Sequence, residues 1–186
     1  NRIIKFGKIF SAIIAMVMLF GTATAFAAER EVVASGKYQK ANWTFYSDGE
    51  LVISGQGKTG NDWREVISSD DVRKVTIKEG ITFISGNAFN GYEKMTDITL
   101  PSSLETVYDT VFNRCYALEN VYYNGDLADW CSLGFGYNNQ NPLEYADNLY
   151  INNTLITDLV IPEGVTAISE NAFRGYEKIS SITFPE

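Results

Sequence analysis

The 186-residue sequence contains no histidine. That absence excludes Ser-His-Asp and Cys-His nucleophile pairs, the HExxH zinc helix and the imidazole general base, so carboxylates are the main candidates for any chemistry. Cysteine is nearly as scarce, with Cys115 and Cys131 alone. Two cysteines without histidine do not make a zinc site, and neither EF-hand nor nonapeptide calcium spacing occurs, so no metal or other cofactor is expected. Basic residues are outnumbered 15 to 23 by acidic ones, for a net charge of −8. An acidic surface repels phosphate backbones and anionic membranes, so neither nucleic acid nor a membrane surface is an expected partner. What is present is 45% apolar and 13% aromatic residues, enough to bury a core and to argue against disorder.

Residues 1–28 divide into a cationic start (Arg2, Lys5, Lys8), an apolar run over 9–20 and a small-residue end, Ala23-Thr24-Ala25-Phe26-Ala27-Ala28. This is the pattern of a secretory signal peptide cleaved after Ala27 or Ala28, since the run is short of the ~20 residues a span requires. No later stretch is apolar enough to cross a membrane, so no membrane insertion is expected after cleavage. The chain opens on Asn1 and stops at Thr183-Phe184-Pro185-Glu186, in the middle of a pattern. It therefore reads as a C-terminally truncated piece of a longer protein.

Comparing the sequence with itself reveals a period of 23. Val75-Thr76-Ile77 recurs as Ile98-Thr99-Leu100 and then as Val121-Tyr122-Tyr123, while Leu159-Val160-Ile161 recurs as Ile182-Thr183-Phe184. A fixed period of this length means stacked units, each too small to bury its own apolar face. Aligned on it, apolar side chains fall into columns that should form core ladders. They are Ile77, Leu100, Ile161 and Phe184; Ile81, Leu104 and Val165; Ile84, Val107 and Ile168; Phe89, Phe112 and Phe173; and Met95, Leu118 and Ile179. Only the step from 121 to 159 is long, and it predicts an insertion of about 15 residues, placed on a loop at one face.

Within a unit the first three residues predict a short strand, ended by Pro101, Pro162 or Pro185 or by Glu79-Gly80. A turn and a second apolar pair follow, and then Asn87-Ala88-Phe89, where asparagine is placed to cap a single helical turn that Gly91 stops. The pattern Ile-Thr-Leu-Pro-x-x-Leu, x-x-Val, Phe-x-x-Cys-x-x-Leu over 98–118, with Val-Ile-Pro-Glu-Gly-Val-Thr-x-Ile over 160–168, resembles the BspA-type leucine-rich repeat of bacterial surface proteins. The likeness covers about 72–186, with Tyr92 and Tyr176 standing where that family usually has cysteine or a small residue. It implies an exported repeat solenoid, often used for adhesion or binding, and carries no catalytic residues. Cys115 shares the column of Tyr92 and Tyr176 and reads as a small core residue, and a core of this size needs no disulfide staple.

Residues 29–71 read as an N-terminal cap. Trp43 and Phe45, Ser47-Asp48-Gly49-Glu50, then Leu51 and Ile53 predict a β-hairpin, and Trp63, Val66 and Ile67 predict a short amphipathic helix entered from Asn61 or Asp62. The insertion, about 124–158, gathers Trp130, Phe135, Tyr137, Tyr145 and Tyr150 among Asp126, Asp129, Glu144 and Asp147, and ends in a small hairpin over 149–156 with an Asn152-Asn153 turn. Exposed aromatics beside carboxylates suit sugar rings, which makes Trp130, Tyr137, Tyr145, Asp126 and Asp129 the candidate ligand-binding residues. The competing reading has these aromatics filling the core where the insertion opens it. Acidic groups scattered along a repeating surface do not predict the paired carboxylates of a glycosidase, so no enzyme is expected. The expected function is binding or adhesion at the bacterial cell surface, or as a secreted protein, through a protein or glycan of a host or neighbouring cell. A carbohydrate-binding accessory module and a passive spacer are the alternatives.

Overall fold

The structure, a computed structural model, describes residues 4–5, 30–135 and 141–185; the rest of the expected leader and Tyr137 lie outside the described residues. In chain order the elements are β1 (Ile4–Lys5), β2 (Val32–Tyr38), β3 (Ala41–Tyr46), β4 (Glu50–Gly55), β5 (Gly57–Lys58), β6 (Lys74–Ile77), β7 (Ile81–Ile84), β8 (Asp97–Leu100), β9 (Thr106–Val107), β10 (Asn120–Tyr123), α1 (Leu127–Ser132), β11 (Gly134–Phe135), β12 (Asn148–Ile151), β13 (Thr154–Leu155), β14 (Asp158–Val160) and β15 (Ser181–Thr183). The main sheet runs β1-β2-β3-β4-β6-β8-β10-β12-β13, a second runs β11-β9-β7-β5, and β14 pairs with β15.

The 23-residue period is a register. Val75 lies beside Ile98, Ile98 beside Val121, and Leu159 beside Ile182, all in parallel ladders. Alternation then sends one set of side chains inward, and Leu51, Ile53, Val75, Ile77, Ile98, Leu100, Val121, Tyr123, Leu149 and Ile151 are all buried. Facing them, Ile81, Ile84, Val107 and Phe135 come from the second sheet. The return path of the 75–97 unit also stacks on the next, because the N–H groups of Asn87, Phe89 and Gly91 donate to the carbonyls of Asp109, Val111 and Asn113 at 3.2, 3.2 and 2.8 Å. Between units Glu79 accepts from the Ser102 N–H and hydroxyl and the Ser103 N–H at 2.9–3.1 Å. Burial pushes its pKa up, but these bonds outweigh burial and hold it below the ordinary 4.5.

Four local expectations are corrected. Asn87 does not cap a helical turn: it sits at φ 59°, and residues 85–95 form successive i→i+3 turns. Asparagine tolerates this left-handed conformation, as its equivalents Thr110 (φ 58°) and Asn171 (φ 66°) also must. The cap's amphipathic helix is one 3-10 turn, Asp62–Glu65, whose Asn61 makes no side-chain cap bond. The insertion is more than a loop. Its β12 pairs in parallel with β10 at a spacing of 28 residues, as a further rung of the main sheet, and β13 then folds back antiparallel along its free edge. That hairpin occupies the edge where the next unit would pair, so β14 and β15 form a separate sheet. Finally, the ladders open at their last members: Ile168 is 37% and Phe184 65% exposed, since no described unit stacks on them.

In front of the first parallel rung lies an antiparallel meander of β2, β3 and β4, with Trp43 opposite Ile53 and Phe45 opposite Leu51. Gly36 is required there, since a Cβ would lie 2.4 Å from the Trp43 ring. Trp43 Nε1 donates to Asp62 Oδ2 at 3.0 Å, which ties the meander to the 3-10 turn. From that turn Trp63 stacks on Phe89 and donates to the Tyr92 hydroxyl at 3.0 Å. The aromatic column therefore begins on a tryptophan of the cap.

Both cysteines are free and buried. The Cys115 thiol lies 3.3 Å from the Phe89 carbonyl, and burial pushes its pKa up to about 12. Burial also raises that of Cys131. Since the thiolate is the reacting species, neither is expected to react with an aromatic disulfide reagent at pH 8 in the folded protein. Thiol release should track the urea unfolding curve measured by circular dichroism. Rapid reaction of Cys115 in native buffer would show that its column opens locally.

Candidate functional site

The inward positions of the main sheet form the core, and the outward positions between them form a continuous face. Adjacent in register across it lie Thr44, Val52, Thr76, Thr99, Tyr122, Tyr150 and Leu155. Small side chains on the first strands give way to two aromatic rings. Tyr122 and Tyr150 stack with centroids 4.9 Å apart and planes 16° from parallel. Partial burial, then the charges of Asp97 and Tyr150, push the Tyr122 phenol above its ordinary 10.0, so it presents a neutral hydroxyl.

A second row lies two residues back along the strands: Glu50, Lys74, Asp97, Asn120 and Asn148. Its last three side chains hydrogen-bond in sequence, joined by Lys178. Lys178 Nζ donates to Asn148 Oδ1 (2.6 Å), Asn148 Nδ2 to Asn120 Oδ1 (2.9 Å), and Asn120 Nδ2 to Asp97 Oδ1 (3.1 Å). This rail crosses from the last unit to the middle of the sheet and fixes the amides beside the tyrosine stack. At the other end, the Arg30 guanidinium lies 3.6 Å above the Tyr46 ring and pairs with Glu50, whose carboxylate also accepts the Thr76 hydroxyl. At this end the face forms a shallow groove of about 700 Å³ that runs from Arg30 and Tyr46 across Thr76 to Thr99.

Three of the five sequence-derived candidates are placed together, on α1. Asp126 caps the helix, accepting from the Asp129 N–H at 2.8 Å, while the Asp129 carboxylate accepts from the Asp126 N–H at 3.2 Å. Both carboxylates therefore satisfy a helix start. Trp130 points inward with 0% exposure, its Nε1 donating to the Ala172 carbonyl at 2.9 Å. Tyr145 stands apart, its ring edge-on to the exposed Tyr116 and its hydroxyl accepting from the Arg114 N–H at 3.2 Å. Among the described residues no group of three or more Cys, Asp and Glu side chains is placed to hold a metal ion.

Sequence reasoning passed over the tyrosine stack. The signal was half visible, since Thr76, Thr99 and Tyr122 share the 23-residue spacing. Tyr150 becomes their neighbour only once the fourth rung is known, at a spacing of 28.

Similar folds occur among solved structures. A leucine-rich repeat protein from Eubacterium ventriosum is 19% identical, with 80% of this chain and 43% of that one covered and a TM-score of 0.44. A leucine rich cell surface protein from Faecalibacterium prausnitzii is 16% identical, with 81% and 42% covered and a TM-score of 0.34. A leucine-rich repeat protein from Bacteroides ovatus is 17% identical, with 81% and 41% covered and a TM-score of 0.38. The chain spans less than half the length of each of these three. No curated protein matches. The model of the BspA type leucine rich repeat region, however, matches residues 67–150 and 143–186 with six copies. With most of its length built from these repeats in parallel register, the chain belongs to the BspA-type leucine-rich-repeat family.

Proposed function

We propose that this is a secreted or cell-surface binding protein, not an enzyme, whose recognition surface is the outer face of the main sheet. Its ligand is a protein or glycan of a host or neighbouring cell. The observation that carries this reading is the Tyr122–Tyr150 stack held beside the Asp97–Asn120–Asn148 rail. Aromatic rings next to fixed amide donors and acceptors give large contact area with few degrees of freedom to lose on binding. The signal-like segment and the resemblance to bacterial surface proteins support the location. The test is binding of the full chain to a panel of matrix proteins and polysaccharides, repeated with Tyr122→Ala/Tyr150→Ala. Both rings are partly exposed, so the double variant should stay folded, with a modest fall in melting temperature for the lost stack, and lose about tenfold or more in affinity for any ligand that binds, measured below that melting temperature. Undiminished binding by the variant, or silence across the panel, would sink the reading.

A further inference from the structure

Along the groove floor, Lys74, Thr76 and Lys78 project outward at alternate positions of β6 and its continuation, where the Lys78 N–H still pairs with the Ile53 carbonyl at 2.8 Å. Strand rise separates the two lysines by about 13 Å. Lys74 is 3.8 Å from Glu50, but the Lys78 ammonium has no partner among the described residues, and neither does the hydroxyl of Thr99, which lies in register with Thr76 in the same groove. One wall is held by the Arg30–Tyr46–Glu50 contacts, and the next residue in register beyond Thr99 is Tyr122. The groove thus offers a free ammonium, a second cation along the same strand, a free hydroxyl and a half-buried apolar patch at Val52.

Resting on the recognition face proposed above, we infer that this groove takes a linear acidic polysaccharide, its carboxylates on Lys78 and Lys74 and its ring hydroxyls on the Thr99 side. Charge selects the anion. Arg30 is already paired with Glu50 and Asp48 and Lys74 lies 3.8 Å from Glu50, so Lys78 is the unpaired cation of the groove, on a chain that is otherwise acidic, with Lys74 within reach as a second, shared one. Topology excludes the commonest way a sheet takes up a peptide. The floor strands β4, β6 and β8 are interior, paired on both edges, so no backbone edge remains for a peptide to extend the sheet. Recognition falls to side-chain hydroxyls and ammonium groups, which match the hydroxyls and carboxylates of a uronate chain.

The experiment is calorimetric titration of the full chain with polygalacturonate, with its methyl ester, which is the same polymer without the charge, and with poly-glutamate. Polygalacturonate is expected to bind, with the ester and the Lys78→Gln variant each weaker by about tenfold or more and Lys78→Arg largely restored. Lys78 is exposed and its backbone bond is retained, so the melting curve of Lys78→Gln should not move. Equal binding of the ester, an unaffected Lys78→Gln, or poly-glutamate binding as tightly as the polysaccharide overturns the inference. Silence of polygalacturonate, with another panel ligand still lost in Tyr122→Ala/Tyr150→Ala, overturns it while leaving the recognition face in place. Silence of everything overturns both.

Discussion

Phe89→Ala is expected to destabilise the protein by about 3–5 kcal/mol, a large fraction of the ~5–15 kcal/mol that holds an ordinary domain together. Phe89 is fully buried between Trp63 and Phe112, with both centroids 5.9 Å away, and the Tyr92 ring meets it edge-on at 5.8 Å. Removing the ring leaves a cavity that the neighbours are poorly able to fill. Trp63 is tied to the Tyr92 hydroxyl, and the backbone of Phe89 is bonded to Val111 in the next unit. The column supplies its own control. Phe173 occupies the equivalent position of the last unit and is only partly buried, so Phe173→Ala should lose markedly less. Urea unfolding midpoints of the two variants decide it. Equal losses would mean that burial along the column, not position in the sequence repeat, has been misjudged, because stacked units gain stability from each neighbour interface.

What could be read from the sequence, and what could not, follows from the range of the signals. The 23-residue columns were legible because every unit must present the same side chains to the same neighbours, so burial is written as repetition. Ile77, Leu100 and Ile161 are buried as the ladder requires. β2 was not legible: Val32-Val33-Ala34-Ser35 lacks clean alternation, and its register with β3 shifts between Val32 and Ala34. The rung at β12 was hidden by its 28-residue spacing, with α1 and a 3-10 turn, Pro142–Glu144, between it and β10, although the hairpin over 149–156 was read from its Asn-Asn turn. For the site, Asp126, Asp129 and Trp130 are neighbours in the sequence and fall together at α1, but the sequence gave no direction to their side chains. An Asp-x-x-Asp pair flanking Leu127 is as much a helix-start signal as a ligand signal, and here both carboxylates bond to backbone N–H groups.

Trp130→Ala is expected to destabilise the protein by about 3–5 kcal/mol and to loosen the joint between the main sheet and the last unit. Its indole meets the Tyr123 ring edge-on at 5.3 Å and lies 5.4 Å from Phe135, so it packs on a strand of each of the first two sheets. Through Nε1 it also reaches the Ala172 carbonyl of the last unit, which accepts a second bond from Asn141 Nδ2 at 2.8 Å. Because Asn141 keeps that carbonyl satisfied, most of the loss is packing. Trp130→Phe, which retains an aromatic ring and loses only the N–H and some volume, should therefore cost about 1–2 kcal/mol. The pair of variants separates the two roles an aromatic in the insertion can play. A sugar-stacking tryptophan would leave the melting curve unchanged and abolish glycan binding in Trp130→Ala. A core tryptophan lowers the melting temperature in proportion to the ring removed, and any loss of binding follows the fraction unfolded. The buried ring and its bond across the hairpin favour the second outcome. They also help explain why a chain whose parallel sheet is closed by β13 still carries its last unit: in place of a shared sheet, Trp130 and Asn141 bond to Ala172, the Ser169 N–H donates to the Cys131 carbonyl at 2.7 Å, and the Tyr176 hydroxyl bonds to Leu149 and Ile156.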